Sequence, residues 1–132
     1  MNSPWSINEL EAIGAAAELS VAPRRPGGTL RPPTTIWVAR VGGDLYVRSY
    51  RGTSSRWYQA VVRTGSGCIT AGGIERDVRF EQADAVEPAL VDEAYRAKYG
   101  RSSYVDTMVS EQAAATTLRL IPSAPAADSH LR

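Results

Sequence analysis

At 132 residues the chain is long enough to bury one core and too short for two. Its formal net charge of +1 excludes the basic field that draws nucleic acid or anionic lipid. Cys68 is the single cysteine, which excludes an internal disulfide. No apolar run approaches the ~20 residues a bilayer crossing needs, and no basic segment leads into an apolar one at the N-terminus. A cytoplasmic protein with no membrane and no nucleic-acid partner is the expectation.

In chain order, the first predicted element is a helix from Ser6. Ser6 and Glu9 make an S-x-x-E capping box, and Ile7, Leu10, Ile13 and Ala17 recur on one apolar face. The run ends before Pro23, and Ala22 to Pro33, rich in Pro, Gly and Arg, reads as an irregular connector. A hairpin follows, Thr34 to Val41 and Asp44 to Tyr50, turning at Gly42-Gly43. With Val41 opposite Asp44, the register sets Ile36, Val38, Leu45 and Val47 on an aliphatic core face. Trp37 then opposes Arg48, Thr35 opposes Tyr50 and Ala39 opposes Tyr46 on the other face.

After a polar loop from Arg51 to Arg56, Trp57 to Val62 is amphipathic and is readable as a helical turn or a strand. A second hairpin spans Gly67 to Glu81 around Gly72-Gly73. Its register places Ile69, Ala71, Ile74, Val78 and Phe80 on one face, with Arg76 the exception, and Cys68, Thr70, Glu75, Asp77, Arg79 and Glu81 on a wet face. Pro88 to Tyr99 is the clearest helix, with Pro88 in its first turn, Gly100 past its end, and Val91, Ala94, Tyr95 and Lys98 as its inner stripe. Thr116 to Ile121 reads as a last strand, and the Ala-, Ser- and Pro-rich stretch after Pro122 as a disordered tail. The domain reading is therefore one domain over residues 1–122 and a tail over 123–132.

Much chemistry is excluded. The only histidine, His130, falls in that tail, so no histidine triad and no ordinary zinc site is expected. Neither a P-loop nor a dinucleotide fingerprint is present. Three constellations remain. Trp37, Tyr46, Arg48 and Tyr50 share a hairpin face, with Arg51, Trp57 and Tyr58 close behind. Together they form either a ligand-stacking wall with a guanidinium for an anionic substituent, or a structural aromatic cluster around a cross-strand cation–π pair. Glu75, Asp77 and Glu81 form either an acid–base set or a surface ion-pair ladder with Arg79. Cys68, without a neighbouring base, reads as an inert thiol.

The runs Thr35-Ile36-Trp37-Val38-Ala39, Asp44-Leu45-Tyr46-Val47-Arg48-Ser49, Arg51-Gly52 and Arg56-Trp57-Tyr58 resemble the bacterial domain-of-unknown-function family 2255. So do Asp77-Val78-Arg79-Phe80, Tyr95 to Gly100 and Thr116 to Leu120. That family is similar in element order to the split β-barrels that bind flavin or deazaflavin. The resemblance implies a mainly β fold with flanking helices (α+β), a small antiparallel split β-barrel of about six strands. It also implies a homodimer, and it places Trp37, Arg48 and Trp57 near a ligand. The phosphate loop those proteins carry between their first strands has no counterpart here, because Gly42-Gly43 closes that turn. A small, flat organic molecule is the expected partner. Two enzyme readings stand, a flavin- or deazaflavin-dependent reductase, or a cofactor-free cyclase or isomerase of secondary metabolism. In the second, Arg48, Tyr50 or Asp77 polarises the substrate, with Trp37, Tyr46, Arg51, Trp57 and Tyr58 as binding residues. A non-catalytic ligand-binding module is the third reading.

Overall fold

The computed structural model describes residues 4–83 and 87–123. Helix α1 (Ile7–Ala15) starts at Ser6, whose hydroxyl accepts from Glu9 N while Glu9 reaches back to Ser6 N, the expected capping box. Strands β1 (Leu19–Pro23), β2 (Thr34–Ile36), β3 (Ala39–Val41) and β4 (Asp44–Val47) follow. Helix α2 (Arg56–Thr64) leads into β5 (Ser66–Ala71) and β6 (Ile74–Gln82). Helices α3 (Glu87–Tyr99), α4 (Val105–Met108) and α5 (Glu111–Ala114) precede β7 (Leu118–Pro122). The seven strands form one antiparallel sheet in the order β2-β1-β5-β6-β7-β4-β3. Among the described residues no helix is long and apolar enough to cross a membrane.

That order, with the connections, dictates the shape. β2 and β3 are the two edges of the sheet, yet only Trp37 and Val38 lie between them in sequence. Three Cα–Cα steps of ~3.8 Å allow at most ~11 Å between Ile36 and Ala39. The edges of a flat seven-stranded sheet would stand ~29 Å apart at ~4.8 Å per step. The sheet therefore curls until its edges almost meet at Trp37-Val38, a half-barrel with flanking helices. The fold is α+β, of split-barrel type.

Two apolar cores lie on opposite sides of β4. Leu45 and Val47 join Leu19, Val21, Ile69 and Leu120 in the main core, closed by Leu10 and Ile13 of α1 and Trp57 and Val61 of α2. Tyr46 and Ala39 pack instead against Val91 and Tyr95 of α3, Met108 of α4 and Ala113 of α5. The second hairpin has the expected register, Ala71 opposite Ile74 and Cys68 opposite Asp77. Its exceptional Arg76 pairs with Glu9 and lies 5.6 Å from the Trp5 ring centroid.

Four sequence expectations need correction. The helical run does not continue toward Pro23, because Ala16 is extended and Leu19 and Val21 alternate with Ser20 and Ala22 as a strand. Pro23 closes that strand, where its missing N–H costs least, and the connector after it carries an Arg24–Leu30 bridge. Ile7 is consequently 57% exposed and Ala17 lies outside the helix. The sheet has seven strands rather than about six, because β1 is added and the expected strand from Thr34 to Val41 is divided into β2 and β3. Of the two readings of Trp57 to Val62 the helical one holds, but α4 and α5 were not foreseen at all, each being a single short turn. Finally, the first hairpin holds its register only from Val41:Asp44 to Ala39:Tyr46. Beyond it, β2 turns away to pair with β1. The expected tail after Pro122 lies outside the described residues, apart from Ser123.

Candidate functional site

The broken hairpin creates the site. Where Thr35:Tyr50 and Trp37:Arg48 would have paired, the two segments separate, and a cavity of about 360 Å³ opens between them. Thr34 to Trp37 form one wall and Arg48, Tyr50 and Arg51 the other, while Ser55, Trp57, Tyr104 and Met108 complete the lining.

Side-chain chemistry explains the separation. Arg48 is fully buried and turned toward the helices. Its Nε donates to Thr117 Oγ1 at 2.8 Å, and Nη1 donates to Asp92 Oδ1 at 2.5 Å and Met108 O at 3.1 Å. Nη2 donates to Pro88 O at 3.0 Å, and the guanidinium carbon sits 5.6 Å from the Tyr95 ring centroid. These bonds use four of its five N–H groups. Ser49 N is likewise taken by Thr116 Oγ1 at 2.8 Å. The strand after Val47 is thus drawn toward α3, α4 and the start of β7. On the opposite wall Trp37 stacks flat on Tyr99, with centroids 3.8 Å apart and planes 1° from parallel. The expected Trp37–Arg48 cation–π pair does not form, because each has a stronger engagement on α3.

At the rim, Tyr50 and Tyr104 meet edge to face at 5.8 Å and are 40% and 59% exposed. Arg51 is exposed, and its guanidinium has no hydrogen-bond or ion-pair partner among the described residues. Among the described residues the lining contains no carboxylate, histidine, lysine or cysteine.

A model of uncharacterized proteins conserved in bacteria (DUF2255) matches residues 9–120. The chain belongs to that family. No curated protein matches it. Solved structures resemble it at low identity, which shows the shared fold alone. HutZ, the heme storage protein from Vibrio cholerae, is 11% identical with TM-score 0.66, covering 89% of each chain. An FAD-binding protein from Mesorhizobium loti is 13% identical with TM-score 0.58, covering 91% of each chain. An FAD and heme binding protein from Mycobacterium smegmatis is 18% identical with TM-score 0.51, over 96% of this chain and 78% of that one.

Of the residues singled out in the sequence, Trp37, Arg48, Tyr50, Arg51 and Trp57 come together in the cavity. Tyr46 and Tyr58 do not. Tyr46 is buried under α3, and Tyr58 belongs to the main core, because neighbouring residues of a strand or a helical first turn point to different sides. Asp77 lies on the far hairpin, paired with Arg24 at 3.0 Å. Its neighbours Arg79 and Glu81 pair at 3.5 Å, and Glu81 also meets Arg119 at 3.1 Å, which makes this face an ion-pair ladder. Cys68 is buried there too. Burial pushes its thiol up, with Asp77 and Glu75 adding to the effect, which disfavours a thiolate. Tyr104, Met108 and Ser55 line the cavity without having been foreseen. The tyrosine and methionine carried no sequence signal, since the Ser102 to Ser110 stretch has no helical period long enough to place a face.

Proposed function

We propose that the family member binds a small, flat, largely apolar molecule in the seam between β2 and the segment after β4. The observation that carries this reading is the cavity itself, walled by Trp37, Trp57 and Tyr50 where β2 and the segment after β4 separate. Its volume falls at the lower end of the ~300–1,000 Å³ typical of small-molecule sites. A two- or three-ring system fits that volume, whereas a whole haem or flavin dinucleotide does not.

Within this reading a flavin- or deazaflavin-dependent reductase is the leading activity. The ring portion of such a cofactor suits the aromatic walls, and the fold is shared with an FAD-binding protein. When bound, the cofactor would supply hydride chemistry. The chain's own residues would hold the ring against Trp37 and Trp57, exclude water with Met108, and present Arg51 to an anionic substituent. Among the described residues the lining offers no ordinary general base, which favours chemistry driven by a bound cofactor over the cofactor-free cyclase. A binder without catalysis shares the same cavity. A homodimer that extends the open seam belongs to the same proposal, and size-exclusion chromatography with light scattering tests it.

The direct test is titration of the protein with riboflavin, followed by quenching of the ligand and of Trp37 and Trp57 fluorescence. Saturable quenching that Trp57→Leu weakens is expected. Absence of quenching by riboflavin, by a deazaflavin and by their bare tricyclic rings would refute the flat-ligand reading.

A further inference from the structure

The hydroxyl network at the rim restricts what the ligand must look like. Ser49 Oγ lies 2.6 Å from Gly52 O and 2.6 Å from Ser55 Oγ. A carbonyl oxygen only accepts, so the single proton of Ser49 goes to Gly52. The proton between the two serines must then come from Ser55. Ser55 Oγ therefore has no proton left for the cavity it lines, and only lone pairs. Among the described residues no donor of the chain uses those lone pairs either. Ser55 is the N-cap of α2 but makes no side-chain capping bond, whereas the N-caps Ser6 and Ser110 accept from Glu9 N and Ala113 N. Arg51, at the other end of the same short turn (Gly52–Ser54), offers the opposite chemistry, since a guanidinium only donates.

The two residues that flank the Gly52–Ser54 turn thus bring an acceptor and a charged donor to the lining of one cavity. We infer that the ligand of this cavity carries a lactam- or imide-type edge, a ring N–H donating to Ser55 Oγ beside a carbonyl oxygen accepting from Arg51. This rests on the flat-ligand reading and narrows it. A simple aromatic carboxylate would meet Arg51 and leave Ser55 unanswered, and an aromatic amine would do the reverse. Heterocycles with adjacent N–H and C=O groups satisfy both.

The experiment compares two probes on the full chain, lumiflavin, whose isoalloxazine ring has the imide N–H as its single N–H, and the same compound methylated at that nitrogen, by fluorescence titration. The wild type is expected to bind the methylated probe about ten-fold more weakly, the usual cost of a lost hydrogen bond in a partly dry site. Ser55→Ala should bring the two affinities to within about two-fold, and Ser55→Thr, which keeps the oxygen, should restore the preference. Equal affinity of the wild type for both probes would overturn the inference and leave the flat-ligand site standing. So would a preference that persists in Ser55→Ala. Binding of neither probe would overturn the cavity reading and the inference with it.

Discussion

Arg48 is the residue whose replacement separates architecture from ligand chemistry most cleanly. It is completely buried, and it ties β4 to α3 through Pro88 O and Asp92, to α4 through Met108 O, and to β7 through Thr117. In Arg48→Met the chain keeps comparable volume but leaves these acceptors without a donor. Removing one partner of a buried charged pair costs about 3–5 kcal/mol, because the remaining polar groups stay desolvated. Asp92 can recover water, its side chain being 36% exposed, so the lower half of that range applies, about 3 kcal/mol. At ~3–5 °C per kcal/mol for a chain of this size, the melting temperature should fall by about 10–15 °C. Asp92→Asn should cost less, since three neutral acceptors still hold the guanidinium, and in a double-mutant cycle the pair should couple by about 1–3 kcal/mol. Calorimetry on the four proteins measures this directly. An Arg48→Met melting temperature within 3 °C of wild type would refute the reasoning, and would return Arg48 to the role of a ligand-facing guanidinium.

Three further outcomes are expected. Tyr104→Ala removes an exposed ring whose main contact is the edge of Tyr50, so stability should change by less than ~1 kcal/mol while riboflavin affinity falls several-fold, as titration beside a melting curve would show. Burial lowers the Lys98 ammonium to about 8, so from pH 8 upward the folded chain gives up this proton before the unfolded chain does, and stability should rise between pH 8 and 9.5. Lys98 is only half-buried, so the gain should stay below the ~1.4 kcal/mol of one full unit, and Lys98→Met should abolish it; above pH 10 the upward-shifted Tyr95 and Tyr99 oppose it. Gly72 and Gly73 both have positive φ, but a Cβ on Gly72 would overlap the Ala12 carbonyl oxygen whereas one on Gly73 meets nothing. Gly73→Ala should cost about 1 kcal/mol and Gly72→Ala at least ~2, measured by urea denaturation.

Local chemistry made most elements readable in advance. The Ser6–Glu9 box, the two glycine turns, and the proline-to-glycine frame of α3 each depend on residues a few positions apart. What failed was long-range. Leu19 and Val21 sit behind an alanine-rich run that satisfies a helix equally well, and only pairing with β2 and β5 makes them a strand. The face of Trp37 and Tyr46 was assigned correctly, since both contribute to the cluster under α3. That face proved to be covered by helices at Ala39 and Tyr46 and open to the cavity only at Trp37, Arg48 and Tyr50, and alternation along a strand carries no information on which part of a face a helix will cover.

The candidate site was legible only in part, since Trp37, Arg48, Tyr50, Arg51 and Trp57 line the cavity while Tyr46, Tyr58 and Asp77 lie elsewhere, and its geometry was not legible. A hairpin register extrapolated past Ala39:Tyr46 pairs Thr35 with Tyr50 and Trp37 with Arg48, and continuing it would have closed the barrel. The competing demand comes from Arg48, whose charge in the interior requires acceptors that the hairpin cannot supply. Pro88 O, Met108 O, Asp92 and Thr117 supply them from 40 to 69 residues away. Once those bonds form, the strand cannot also reach β2, and β2 completes its own hydrogen bonds on β1 instead. The cavity is therefore the structural consequence of burying one guanidinium. Loosening that clamp should let the seam move, which places Arg48 as a residue that positions the walls while Arg51, Ser55 and the rim tyrosines meet the ligand.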